Sequence, residues 1–228
     1  MGLQLKEIVP WGRSLAEYIQ MFALSPADRQ RRILDCGGGP ASFNAEMTAQ
    51  GHSIQSCDPL YQFSAEQITQ RVTETRSLIL EKVREYQQNY VWTVISDPET
   101  LGDMRLTAMR QFIDDFPQGL ADGRYHVAQL PSLPYANQQF DLAVCGHLLF
   151  SYSDNLSLDL HQRSIQELCR VAREVRIFPV LTLNGDRSPW LAPIISERQK
   201  AGYSADLVTV AYEFQKGGNQ MLRIVPIA

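Results

Sequence analysis

The sequence predicts a doubly wound α/β domain whose sheet is mostly parallel and ends in an antiparallel hairpin. Three stretches carry that expectation. The segment ILDCGGGPASFNAEM, Ile33 to Met47, runs from an apolar strand through consecutive glycines into a helix. From Tyr125 onward, strand-like apolar runs alternate with an amphipathic helical stretch, the pattern of parallel strands joined by crossover helices. The chain then closes on two apolar runs separated by the turn residues Gly217 to Asn219, a hairpin signature.

The elements follow in order. A helical segment from Leu15 to Leu24 stops at Ser25-Pro26 and precedes the basic stretch Arg29 to Arg32, so residues 1–30 are expected to cap the core. Ile33 and Leu34 end the first strand, and Pro40 opens a helix with Phe43 and Met47 at i,i+4 spacing. Gly51 closes that helix, and HSIQSCDP reads as a second strand ending at Asp58, which completes a βαβ unit. Residues 63–118 then carry helical spacing: Ile68, Val72, Leu78 to Leu80 and Val83, followed by Met104, Met109, Phe112, Ile113 and Phe116. Only YVWTVI within them has strand character. A crossover needs roughly a dozen residues, so this stretch is a helical insertion, expected to lie beside the cleft as a lid. RYHVAQL is the third strand, FDLAVCG the fourth, LHQRSIQELCRVARE a helix burying Ile165, Leu168 and Val171, and VRIFPVL the fifth strand. ADLVTVAYEF and QMLRIV form the final hairpin of a seven-stranded sheet in a single domain, residues 1–228.

Composition narrows the function. With 228 residues, 44% of them hydrophobic, the chain buries a full core. A net charge of -4 and a pI near 5.6 give no broad surface for tracking phosphates, so a small molecule is a better partner than nucleic acid. No apolar run reaches the roughly 18 residues of a membrane span, and the N-terminus lacks a signal-peptide pattern, so a cytoplasmic location is expected. Oligomeric state is not readable. Cys36, Cys57, Cys145 and Cys169 form no CxxC pair and have no histidine at zinc-ligand spacing, so no metal is expected. They read as buried thiols, and the first three each fall at the end of a strand, at one sheet edge.

LDCGGGPAS resembles the D-x-G-x-G loop of class I S-adenosylmethionine-dependent methyltransferases. CDP resembles the acidic end of their second strand, and LPSLPYANQQFDLAVC their LPF-then-FD segment. The similarity runs from about Arg31 to the end, and that family's Rossmann-like sheet also closes on an antiparallel last strand. More narrowly, ELCRVAREVRIFPV and YEFQKGGNQMLRI resemble a bacterial group of uncharacterised members, so the resemblance implies a cofactor and not a substrate. It implies S-adenosylmethionine against Asp35, Cys36, Gly37, Gly38 and Gly39, with Asp58 and Pro59 at the ribose. Gln129 and Leu130 are implied beside the adenine, and Cys145 at the end of the fourth strand. Gln129 departs from the aspartate that often stands there.

The residues agree physically with that assignment. Asp58 follows Gly39 by one helix and one strand, which brings its carboxylate back beside the glycine turn, where it can accept two ribose hydroxyls and repel a phosphate. The dinucleotide fingerprint G-x-G-x-x-G is only partly met, because Ser42 stands where the third glycine belongs, so a nicotinamide oxidoreductase is disfavoured. Asp35 also reads as a turn cap, and Asp58-Pro59 as an ordinary strand-to-loop turn. His147, just past the fourth strand, is the candidate general base where substrates meet the methyl group, or else a structural histidine; Tyr152 is a second candidate for the substrate pocket. No NPPY-type stretch follows the fourth strand. The expected activity is methyl transfer to a small-molecule acceptor, the alternatives being cofactor binding without catalysis or methylation of protein or RNA.

Overall fold

Ile33–Cys36 forms β1, and all of its side chains are buried because it is flanked on both sides by other strands. In the computed structural model, which describes residues 11–227, the parallel neighbours of β1 are β2 (Ile54–Cys57) and β4 (Leu142–Gly146). The full sheet has seven strands in the order β3-β2-β1-β4-β5-β7-β6, with β3 at Tyr125–His126, β5 at Val175–Phe178, β6 at Tyr203–Thr209 and β7 at Gln220–Pro226. β7 is antiparallel to both β5 and β6, so the expected hairpin places its second strand inside the sheet and its first at the edge. The doubly wound, mostly parallel class read from the sequence is the observed one.

Side chains alternate across the central strands and build two cores. Leu34, Ala143, Cys145 and Ile177 face α5 (Leu158–Val171) and α6 (Leu191–Lys200). Ile33, Leu142 and Val144 face α1 (Leu15–Met21) and α2 (Phe43–Ala49). The stretch between β2 and β3 holds α3 (Ala65–Glu85) and α4 (Pro98–Ala121), which pack through Ile68, Val72, Phe112 and Phe116 against Tyr61 and Tyr125. Among the described residues no helix is long and apolar enough to cross a membrane.

Several boundaries differ from those read in the sequence. RYHVAQL supplies only the two residues of β3, because this edge strand pairs with β2 alone and Gln129 already turns back toward Ser132. ADLVTVAYEF leaves the sheet after Thr209: Val210 and Tyr212 bury against the α1 side, and Phe214 stacks on Tyr90 at 4.7 Å. YVWTVI makes a single bridge, Tyr90 to Gln215, and no strand. α6 lacks a clear apolar period in the sequence and was not anticipated. Of the cap at residues 1–30, the first ten residues lie outside the described part, as does the side chain of Leu78.

α1 is held to α4 by charge as well as by packing. Ser14 and Glu17 close a capping box at the start of α1, and the same Glu17 carboxylate accepts from Arg105 of α4 at 2.5 Å and from Tyr212 at 3.1 Å. Arg105 is only 2% exposed. Removing one partner of such a pair strands the other charge out of water, which costs about 3–5 kcal/mol. Glu17→Ala is therefore expected to lower the urea-unfolding free energy by about that amount; a loss below about 1 kcal/mol, the value of a surface pair, contradicts it.

Candidate functional site

The glycine turn lies at the carboxyl end of β1, where adjoining strands bring several sequence-predicted residues together. Gly37 donates its N–H to the Cys57 carbonyl at 2.8 Å, Gly39 donates to Asp58 Oδ2 at 3.0 Å, and the Tyr61 hydroxyl donates to the Gly39 carbonyl at 3.0 Å. The turn is thus fixed from three directions. A Cβ on Gly38 would stand 2.2 Å from Asp35 Oδ2, so only glycine passes there.

Asp35 sits beneath that turn, 1% exposed, and accepts from Tyr18 Oη at 3.1 Å and Ser56 Oγ at 3.0 Å. Burial raises its pKa to about 7, with the Asp58 charge adding to the rise and the two hydrogen bonds opposing it. Asp35 does not line the cavity above the turn, and neither does Cys145, which is fully buried. Their place is under the site, not in its wall. Cys36 and Cys57 are register partners at the same end of the sheet, and their thiols are hydrogen-bonded. All four cysteines are free and buried.

Asp58 spreads its carboxylate between two backbone donors, Gly39 N–H at 3.0 Å and Leu60 N–H at 2.7 Å, where it caps the short turn Pro59–Gln62. Burial pushes its pKa up and the two N–H groups draw it down. Each oxygen keeps a lone pair for a further donor. The cavity beside it measures about 930 Å³. Cys36, Gly37, Gly38, Gly39, Asp58 and Pro59 form its floor, and Gln129 and Leu130 also line it. His147 and Tyr152 stand along the β4 side.

His147 adopts a φ of 50°, in the left-handed region, and its N–H donates to the Phe178 carbonyl at 2.7 Å. Its ring meets Phe178 edge to face at 5.4 Å, and its Nδ1 is buried with no hydrogen-bond partner among the described residues. Burial, then the charges of Arg13 and Arg105, drive its pKa well below 6.5, so the ring is neutral at neutral pH.

Other walls come from residues the sequence did not single out for the site, on the N-terminal segment, the loop after β6 and the helical stretch 63–118. Arg13 and Tyr18 reach in from the N-terminal segment, Arg105 from α4, and Tyr212 from the loop after β6. One local signal existed: Arg105 stands midway between Leu101 and Met109 on the apolar face of α4, where a lone arginine demands a partner. The first turns of α3 contribute Gln67, Ile68 and Arg71, with Phe63 before them 45% exposed at the rim.

No family model matches the chain. It is 31% identical over 223 residues, 97% of this chain and 98% of the other, to the uncharacterized protein MJ0045 of Methanocaldococcus jannaschii. Among solved structures it resembles the magnesium protoporphyrin IX methyltransferase of Synechocystis PCC 6803 with bound S-adenosylmethionine, at 13% identity and a TM-score of 0.44, covering 86% of this chain and 70% of that one. A TehB-like methyltransferase from Corynebacterium glutamicum matches at 15% identity and a TM-score of 0.45, over 92% and 86% of the two chains. Likeness at that level fixes neither activity nor ligand.

The buried Asp35 carboxyl links folding to pH. It ionises near 3.8 when unfolded and near 7 when folded, so between those values the unfolded chain has released a proton that the folded chain still holds. Asp35 therefore makes stability fall as pH rises from about 4 to about 7, with no further change above. Asp35→Asn is expected to flatten that part of the profile in urea unfolding across the pH range; parallel wild-type and variant profiles would contradict the assignment.

Proposed function

We propose that this chain, which belongs to the same family as the M. jannaschii protein MJ0045, transfers a methyl group from S-adenosylmethionine to a small-molecule acceptor. The observation that carries the reading is Asp58: a carboxylate tied to the N–H of Gly39, with lone pairs remaining, on the floor of a cavity of about 930 Å³. That arrangement suits a ribose diol and repels a phosphate. The bare backbone over Asp35 lets the rest of the ligand lie close along the turn, and the presence of Gln129 and Leu130 in the same cavity lining supports reading them as the adenine contacts. The size is at the upper end for one small-molecule site, which fits a cofactor with an acceptor beside it.

When bound, S-adenosylmethionine supplies a methyl group already activated by its cationic sulfur. The chain has then chiefly to align the acceptor and keep water out. Phe178 and Leu148 supply the apolar wall beside His147, and the neutral ring of His147 can take a proton from an acceptor oxygen, nitrogen or carbon. Tyr152 stands on the same side, for shaping the pocket. Residues of α3 and of the stretch leading into it line the cavity, which supports reading the segment 63–118 as a lid that orders when ligand fills it.

Each part has its own measurement. Asp58→Ala is expected to weaken S-adenosylhomocysteine binding in calorimetry by about 1.5–3 kcal/mol, the value of hydrogen bonds to a charged group; unchanged affinity removes the ribose assignment. Labelled S-adenosylmethionine incubated with separate metabolite, protein and RNA fractions is expected to mark metabolites. Label confined to macromolecules rejects the small-molecule acceptor, and binding without any transfer leaves a cofactor-binding protein. With the acceptor in hand, His147→Ala is expected to cut turnover by about 10²-fold at little cost in cofactor affinity. The acid limb of the wild-type profile should fall below pH 6.5, because protonation removes the base and burial holds that pKa down. Hydrogen exchange in 63–118 should slow on adding S-adenosylhomocysteine, and equal rates with and without it reject the lid.

A further inference from the structure

Among the described residues, Arg13 is a cation of the cavity left without an ion-pair partner. Its Nη1 donates to the Trp11 carbonyl at 3.3 Å, its Nε is buried with no partner, and no ion pair among the described residues includes it. Its backbone is not free to swing away, since the Arg13 carbonyl accepts from Ser42 N–H at 3.1 Å and the preceding Gly12 lies against Pro40. The neighbouring Arg105 is differently placed: its charge is met by Glu17 at 2.5 Å, and its other nitrogen reaches the Tyr212 hydroxyl at 3.3 Å. Glu17 is thus the single described carboxylate between the half-buried Arg13 and the buried Arg105, and it is already committed to Arg105, Tyr212 and Ser14. Arg13, Arg105 and Glu17 together leave one positive charge in excess at this end of the cavity. The same end holds His147, whose Nδ1 is also buried without a partner.

We propose that Arg13 is the recognition residue for an acidic acceptor: the small molecule methylated at this site carries a carboxylate, which the Arg13 guanidinium binds beside His147. The inference rests on reading the cavity as a methyl-transfer site. A guanidinium offers paired donors that match a carboxylate and lose little on being fixed, and in a water-poor cavity that pairing is stronger than at a surface. Charge balance favours the acceptor over the cofactor as the source of the anion. S-adenosylmethionine carries an ammonium and a sulfonium against one carboxylate, so it is a net cation and is repelled by an end already in positive excess. An anionic acceptor is drawn to it, and by standing near the sulfonium it also offsets the charge the cofactor brings in. Arg71, the other arginine in the wall, belongs to α3 and has interactions of its own.

The test uses benzoate as the carboxylate probe and benzamide as its neutral match, titrated calorimetrically into the full chain with and without saturating S-adenosylhomocysteine. Benzoate is expected to bind the wild type alongside S-adenosylhomocysteine and benzamide to bind at least about tenfold more weakly. Arg13→Met should lose about tenfold or more in benzoate affinity, and Arg13→Lys should keep part of it, with thermal melting used to confirm that both variants fold. Arg32→Met, which alters an exposed arginine paired with Asp141, should change nothing. Failure of the wild type to bind benzoate, or benzoate affinity in Arg13→Met within about twofold of wild type, overturns the proposal. So does a loss confined to S-adenosylhomocysteine binding, which would make the cofactor's carboxylate the partner of Arg13. If the wild type binds benzoate through Arg13 but never binds S-adenosylhomocysteine, the methyl-transfer reading fails while the anion site stands.

Discussion

A carboxyl group buried under a glycine turn is the constraint around which this molecule is arranged. Asp35 lies at the centre of the sheet, and water is replaced there by one hydroxyl from α1, Tyr18, and one from β2, Ser56. Gly38 passes directly over it with no room for a side chain. The position of α1, the register of β2 and the course of the turn are thereby tied to one another. The residues that floor the cavity are held by a group that does not itself line it.

The walls are built differently from the floor. The floor comes from the carboxyl ends of neighbouring parallel strands, the usual crevice of a doubly wound sheet. The walls come from the N-terminal segment, from α3 and α4, and from the loop after β6, and they meet through one polar network, Glu17, Arg105 and Tyr212. Such a network contributes less to stability than an apolar core of equal volume would, because each charge must first leave water. What it supplies is position: it ties the N-terminal segment, α4 and the loop after β6 together at the cavity.

The cavity carries groups of both signs. Asp58 offers unshared lone pairs beside the turn, and Arg13, near His147, has no ion-pair partner among the described residues. A nucleoside and an anion can occupy such a cavity together without competing for the same groups. His147 fits that division, since a neighbouring cation and burial keep its ring neutral and hence able to accept a proton.

The sequence by itself determined the sheet, the glycine turn and Asp58. β1, α2 and β2 follow one another directly, so side-chain period, the glycines and the strand-end acid are all legible over a short distance. His147 is legible from its place just past a strand, whereas Gln129 and Leu130 come only with the family resemblance. Tertiary structure alone decided that β3 stops after two residues, since an edge strand needs only the neighbour it has, and that Asp35 and Cys145 lie under the site. It also decided the cation end of the cavity. Glu17 meets Arg105 across 88 residues of chain and Tyr212 across 195, and the bond between Arg105 and Tyr212 spans 107. Periodicity reports which face of an element is buried, never which distant element it is buried against, and it is that pairing which commits Glu17 to Arg105 and leaves Arg13 without an ion pair among the described residues.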